Sequence, residues 1–534
     1  MQDISFSLLL ITYSINVLFL FFIIAVAAAA WGQEADRDNV FEDGFGSFDS
    51  ELGMPLTDSS EPGTDTDGKT SLSINGTAAD ALRCSPLNGY EVEDADEIPF
   101  NNAFSADLTF DYAGKTSEYF LGLSFDADIA DTGALSAVDE CYMKLFSGPF
   151  LFQLGMMRTT WGKGDTFHVL DVLNASDYSD FINGSSSDRK IPALMLKLDT
   201  IVGDNGNLEC AYLPVRQSDI IPYSGQWVPY QIGTALSSAR SMIINGPNGD
   251  DGLYAAAYAA IYGGMYTGIY NRAYAQAIAA GYSPAEADAA AVAAATDISV
   301  TSTAEQMAME QAGNSADAVL DRLLEPDNTY KLSDAQIGVR YTDTFMALDY
   351  GIQYYWGFEK KPVLPDIASI QGLSGISSLS FEYPRIHIFG ADWAFALGKY
   401  NFRAEAAYTK QQENEYSDSF SYSAGVDTAL SLHNLGINLQ TQGLYYIDDI
   451  PDRYRNRIAL QISDTWNYEK ILPEIKCVYN IEDEDFMVTA EFKYVLSDEM
   501  SFNAAYSFFE GDSDTDFGQF RDMDFFECKF IYRF

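Results

Sequence analysis

The chain has 534 residues, with 78 Asp and Glu against 31 Lys and Arg and a formal charge of -47 at pH 7. That balance excludes a nucleic-acid partner, because phosphate binding needs clustered Lys and Arg. At 47% hydrophobic, 20% charged and a mean hydropathy of -0.10, it is no bundle of membrane helices either. A strand-built barrel remains open, since only alternate residues of its strands meet lipid, and 34 Tyr and 35 Phe fit its outer bands and interfacial girdles.

In chain order, Ile4 to Ala30 is the one long apolar run. It ends in Ala25-Val26-Ala27-Ala28-Ala29-Ala30, small residues at the spacing a signal peptidase reads. Residues 1–30 are therefore predicted to be a cleaved export signal, although Met1-Gln2-Asp3 brings no positive charge and the run is long enough to span a bilayer as a helix. Residues 31–69, acidic and rich in Gly, Ser, Pro and Thr without a period, read as a disordered periplasmic lead-in.

Residues 70–534 read as one all-β domain, an antiparallel transmembrane barrel of about eighteen strands (16 to 18). The clearest alternation lies in Phe104 to Tyr112, Tyr119 to Asp126, Ala335 to Thr342, Met346 to Tyr355, Phe402 to Lys410, Leu435 to Tyr445, Ile458 to Trp466 and Phe486 to Leu496. Ser136 to Phe146 and Ile386 to Ala396 alternate poorly, and the first strand, around Ser71 to Gly76, has the weakest pattern. The last ten residues alternate without a fault: Phe526, Cys528, Phe530, Tyr532 and Phe534 on one face, Glu527, Lys529, Ile531 and Arg533 on the other. Ending on Phe534 resembles the closing strand by which the assembly machinery recognises bacterial outer-membrane barrels.

Connections give an independent test. Short ones (Ala113 to Thr116, Ser147 to Pro149, Val202 to Asn205, Thr344 to Phe345, Leu397 to Tyr400, Ser431 to Asn434, Asn467 to Lys470, Ser497 to Glu499) follow every even strand. Long ones, including Trp161 to Ile191, Arg216 to Leu332, Gly357 to Pro384, Tyr446 to Asn456 and Glu510 to Asp522, follow odd strands. A barrel with both termini in the periplasm requires that alternation.

Within the insertion of residues 216–332 the period turns helical. Tyr254, Tyr258, Tyr262, Tyr266, Tyr270 and Tyr274 recur every four residues along one helix; Ser283-Pro284-Ala285-Glu286 opens a second with a capping box, and a third is expected over Ala304 to Leu324. The insertion should lie extracellularly or plug the mouth, docked there because its tyrosines and alanines suit water poorly. The tyrosine stripe could offer stacking faces to sugar rings.

Trp161-Gly162-Lys163-Gly164-Asp165, then Asp171-Val172-Leu173-Asn174-Ala175-Ser176-Asp177, then Pro192-Ala193-Leu194-Met195, form a signature. It resembles a family of Gram-negative, porin-like outer-membrane barrels, mostly of unassigned substrate, in which Trp-Gly-x-x-Asp ends a strand and Asn-Pro-x-Asp follows. More distantly it is similar to alginate-export barrels. Tyr212-Leu213-Pro214-Val215 and Phe402-Arg403-Ala404-Glu405-Ala406-Ala407-Tyr408 fit the same pattern, whereas Ala175 stands where the family usually has Pro. Physically, the apolar stretch after Trp161 should fold back into the barrel. There Trp161, Lys163, Asp165, Asp171, Asn174 and Asp177 either form a constriction that grips solute or brace the wall. Alternation turns Arg340, Arg403, Glu405, Glu474, Lys476, Glu491, Lys493, Glu527, Lys529 and Arg533 inward, a lining of both signs.

No catalytic residue, metal site or cofactor is predicted. The five cysteines lack metal or disulfide spacing, Asp165 and His168 are an isolated pair, and the Asp512-Asp514-Asp516 run departs from a calcium loop at Phe517 and Met523. The expectation is an outer-membrane channel for small hydrophilic solutes, saccharides among them, with lipid and the assembly machinery as partners. A surface adhesin anchored by its barrel is the rival, and a barrel hydrolase a remote third.

Overall fold

The computed structural model describes residues 71–84, 100–126, 137–179, 189–223, 227–246, 252–324, 332–363, 381–413, 416–430, 435–448 and 453–534. The export signal, the lead-in and the turn at Ser431 to Asn434 lie outside the described residues.

The chain forms β1 (Ser71–Cys84), β2 (Phe100–Ala113), β3 (Ser117–Phe125), β4 (Val138–Ser147), β5 (Phe150–Met157) and β6 (Ala193–Val202). There follow β7 (Gly206–Leu213), β8 (Gln336–Phe345), β9 (Leu348–Phe358), β10 (Arg385–Leu397), β11 (Tyr400–Gln411) and β12 (Ser419–Ala429). The last third holds β13 (Gly436–Tyr446), β14 (Tyr454–Ser463), β15 (Ile471–Asn480), β16 (Asp485–Val495), β17 (Met500–Glu510) and β18 (Phe525–Arg533). Each strand pairs antiparallel with its sequence neighbour, and β1 pairs with β18 from Thr77↔Arg533 to Cys84↔Phe526. The 18-stranded sheet is thereby closed and has no edge.

Closure extends to the last residue. The Gly76 N–H donates to the Phe534 carbonyl at 2.8 Å, and the Phe534 N–H returns a bond to the Gly76 carbonyl at 2.9 Å. The Phe534 ring then lies over the bare glycine, where a Cβ would sit 2.2 Å from its Cζ.

One face of the strands is apolar and exposed all round the barrel: Ile74, Phe152, Leu196, Ile352, Phe389, Leu439, Ile475, Phe492 and Phe530 lie on it. The other face turns to the bore. On β16 and β18 the partition follows the alternation, with Thr489 bonded to Ser507 and Asn503 to Glu491 on the inner side.

Three expected boundaries move. β1 continues to Cys84, well past Gly76. The β8–β9 turn falls at Met346 and Ala347, with Met346 at a positive φ of 59°, so Phe345 belongs to the strand before it. β14 starts at Tyr454 because Arg455 and Arg457, polar residues that resemble loop, occupy its inner face opposite Leu444 and Gln442.

The insertion carries α1 (Tyr230–Asn245), α2 (Leu253–Ala279), α3 (Pro284–Ala295) and α4 (Ile298–Leu324). The capping box at Ser283 and Glu286 is present. α1 went unanticipated because Gly233, Ser237, Ser238 and Ser241 interrupt its apolar spacing, and α4 starts at Ile298, where Asp297 accepts from the Ser299 N–H at 2.9 Å.

The helices pack chiefly on one another: α2 against α3 and α4, α1 against α4. Ala287, Ala291 and Ala295 of α3 and Ala304, Ala308, Ala312 and Ala316 of α4 are all buried, an alanine seam repeating every four residues that matches the four-residue tyrosine repeat of α2. The six tyrosines stack along their own helix with centroids 5.5 to 6.1 Å apart. All six remain partly exposed. The mutual seam meets the need for burial that docking on the barrel was expected to supply. The insertion is moored at its base, where Trp227 packs among Phe509, Phe517, Phe520 and Phe525 and Phe381 joins the α1–α4 core.

Two outcomes are expected from these faces. Ala490→Lys places a charge in the apolar band at the middle of β16 and should cost about 2 to 4 kcal/mol, more than Tyr494→Lys at the strand's end, whereas the inward Thr489→Lys should be tolerated in urea titrations of the refolded barrel. Equal damage would reverse the face assignment. Deletion of Phe534, or Gly76→Val, which evicts its ring, should lower the amount of assembled barrel recovered from membranes; undiminished yields of both would separate closure from assembly.

Candidate functional site

Residues 158–179 leave β5 and turn into the bore, and residues 189–192 lead into β6. Arg158 starts the turn with a fork on Asp139 (Nη2 to Oδ1, 2.7 Å), while its Nε donates to the Lys190 carbonyl at 2.7 Å. Asn174 then staples the two limbs: its Oδ1 accepts from the Thr159 N–H at 2.9 Å and its Nδ2 donates to the carbonyls of Met157 (3.0 Å) and Ile191 (2.9 Å). Lys190 and Asp171 form a buried ion pair at 2.6 Å.

The apolar residues between these staples pack on the inner wall. Trp161, Leu170 and Leu173 are almost fully buried with Met157, Met195, Leu213, Tyr355, Ile386, Ile388 and Ala407, which come from β5, β6, β7, β9, β10 and β11. The Trp161 indole N–H donates to Glu209 at 3.2 Å. A cluster of this kind inside a barrel fixes the loop to one side of the bore.

Glu405 of β11 holds the loop's far end. One carboxylate oxygen accepts from the backbone N–H groups of Lys163 and Gly164 at 2.5 Å each, the other from Val169 at 2.8 Å and Leu170 at 3.3 Å. A carboxylate offers about four lone-pair sites, so its capacity is filled and its charge is compensated without a cation. The approach requires glycine: Gly162 has a φ of +98°, and a Cβ there would lie 2.2 Å from the Glu405 Oε1. Gln440 of β13 repeats the device, accepting from Thr166 (2.8 Å) and Phe167 (3.0 Å) and donating to the Phe167 carbonyl at 3.1 Å. Gln353 of β9 donates to the Leu170 carbonyl at 2.7 Å.

The charged neighbours are paired. Asp165 accepts from Arg403 and, at 2.9 Å, from Asn438; Arg403 also reaches Asp427 at 3.0 Å, and Arg340 meets Asp392 at 2.8 Å. Asp165 is thus engaged by Arg403 and Asn438, with His168 apart from that set. Lys163 differs: its ammonium lies 4.0 Å from Asp349 and both side chains are partly exposed to the bore. Burial holds its pKa below the ordinary lysine value, opposed by Asp392 and Asp349 and reinforced by Arg340 and Arg403.

Of the residues singled out in the sequence, Lys163, Asp165, Arg340, Arg403 and Glu405 converge at the tip of this loop. Trp161, Asp171 and Asn174 serve as its internal braces, and Asp177 accepts from the Ser179 N–H at 2.8 Å in a local turn. Glu491, Lys493, Lys529 and Arg533 sit on β16 and β18, strands that do not contribute to the loop's packing cluster. Gln353, Gln440, Asp392, Asp427 and Asn438 were missed; their only sequence signal is a lone polar residue at an inward position.

Gly162→Ala should push Glu405 aside and release the tip while leaving the staples at Asn174 and Arg158 intact. Limited proteolysis of the folded barrel should then cut within residues 162–170, which resist in the unaltered protein. Resistance in both would mean that Glu405 is not what holds this segment.

No protein-family model matches the chain, and no curated protein matches it. Among solved structures it is similar to Pseudomonas aeruginosa OccK9 (OpdG), at a TM-score of 0.43 and 9% identity over 87% of this chain and 98% of that one. P. aeruginosa OccK11 (OpdR) gives 0.42 and 8% over 87% and 95%, and Acinetobacter baumannii OccAB4 0.41 and 8% over 88% and 99%.

Proposed function

We propose that the chain is an integral channel of the bacterial outer membrane, exported through a cleaved signal at residues 1–30, that passes small hydrophilic solutes. The observation that carries this reading is the loop clasped inside a closed barrel by Glu405. A loop held at a fixed place on the inner wall gives a pore a defined cross-section, a use beyond the bracing that an anchor barrel would draw from it. The apolar outer face supports residence in lipid.

The lining supports a hydrophilic solute. Arg340, Arg403, Asp165, Asp392 and Asp427 are tied in ion pairs that leave one carboxylate in excess, a lining that offers polar groups to an uncharged polyhydroxylated molecule such as a saccharide and repels anions. One observation favours the adhesin reading instead. The helical insertion buries its seam on itself and is moored mainly at its base, as an arm that displays a binding surface would be.

Purified protein in planar bilayers separates the two readings: stepwise ion current is expected of the channel, while a silent barrel that binds host or matrix molecules would support the arm as the functional part. In the channel, removal of residues 167–180 should raise single-channel conductance, because the wall's hydrogen bonds run strand to strand and survive the deletion. Unchanged conductance in an intact barrel would make the loop a brace alone.

A further inference from the structure

Around the tip of the infolded loop, three cations and five carboxylates meet: Lys163, Arg340 and Arg403 with Asp165, Asp349, Asp392, Asp427 and the clasping Glu405. Their situations differ. Arg340 and Asp392 are buried against one another, with side chains 7% and 0% exposed. Arg403 is shared between Asp165 and Asp427; it and Asp427 are 10% exposed, while Asp165 is 21% exposed but held by Arg403 and Asn438. Lys163 is 21% exposed and Asp349 is 38%, and they stand 4.0 Å apart, a separation at which neither is committed to the other.

Position adds to this difference. The Lys163 backbone N–H is fixed on Glu405 between Gly162 and Gly164, so the side chain starts from an immobile base and its ammonium cannot leave the narrowed section. A passing ion meets the field of the charges that are exposed there, and the buried pairs act only as distant dipoles. With Lys163 charged, the cluster carries two carboxylates in excess; with Lys163 neutral it carries three.

We propose that Lys163 is the selectivity-determining residue of the channel: its tethered ammonium is the counter-ion that restrains the cation preference imposed by the carboxylates of the constriction. Asp349 is its opposite number, and removal of either should shift selectivity in opposite senses. This inference rests on the channel reading above.

The test is the reversal potential of the purified full-length protein in planar bilayers under a KCl gradient. Lys163→Gln should raise the cation-to-anion permeability ratio roughly three-fold or more, the effect of one unit charge on an ion about 7 Å away through water. Lys163→Glu should raise it further, Asp349→Asn should lower it, and Lys163→Arg should leave it near that of the unaltered protein. Because the clasp uses the backbone N–H of residue 163, these variants should keep the folded barrel's gel mobility. A conducting Lys163→Gln pore with an unmoved reversal potential would overturn the role of Lys163 alone. A silent unaltered barrel would overturn the channel reading, and this inference with it.

Discussion

Every backbone N–H and C=O in a lipid-embedded sheet must find a partner within the protein, and that constraint dictates the rest of this structure. An open sheet of eighteen strands would leave two unpaired edges; pairing β1 with β18 removes both. The seam is where closure is most demanding, because its strands come from opposite ends of the chain. There Phe534 lies over Gly76, and on the inner side Arg83 and Glu527 pair at 3.0 Å beneath Trp227 and Phe525. A buried pair of this kind is costly to break from one side. Trp227, the residue that moors the helical insertion, also shields the pair from the bore. Anchoring the arm and sealing the seam are therefore one packing event.

The same accounting explains the infolded loop. A segment of irregular backbone inside a barrel carries N–H groups that strands cannot serve. Glu405 and Gln440 supply acceptors for them from the wall, and Gln353 donates to the Leu170 carbonyl. Fixing the loop costs backbone entropy of about 1 to 2 kcal/mol for each residue ordered, which the apolar cluster around Trp161, Leu170 and Leu173 offsets. A carboxylate suits this work better than an amide at the tip, since bonds to a charged acceptor are stronger. Because four N–H groups compensate that charge, Glu405 sets the loop's position without dominating the field in the bore. That division leaves Lys163 and Asp349, 4.0 Å apart, as the loosely paired charges beside the loop tip.

Much of this was legible in the sequence. Strands such as β16 and β18 show themselves because lipid on one side and polar groups on the other enforce strict alternation, and short turns after even strands follow from closure. The strands that alternated poorly are informative in retrospect. In β10 the inward Ile386 and Ile388 are apolar because the loop covers them, and in β4 the inward Tyr142 packs against the same cluster. Covering part of the inner face with apolar loop erases the contrast on which the alternation rests. The Trp-Gly-Lys-Gly-Asp motif could be read as a sharp turn, but its partner could not be identified: Glu405 lies more than 200 residues away and looks like any inward carboxylate. α1 was lost for a local reason, since its serines mimic a loop while Leu236, Ala239 and Ile243 keep the helical spacing. The exposed acidic loops and the outward polar Asp80, which stands in the apolar face of β1 opposite Phe104 and Phe530, fit none of these patterns, and the packing gives Asp80 no evident purpose.

The central claim is that a single wall carboxylate, Glu405, holds the constriction in place. Single-channel recording of Glu405→Ala beside the unaltered protein tests it most directly. Loss of four acceptor contacts should free the tip, giving a larger mean conductance with added open-channel noise, while the strand ladder and the heat-modifiable mobility of the barrel persist. A variant with the same conductance and the same quiet open state would contradict the account.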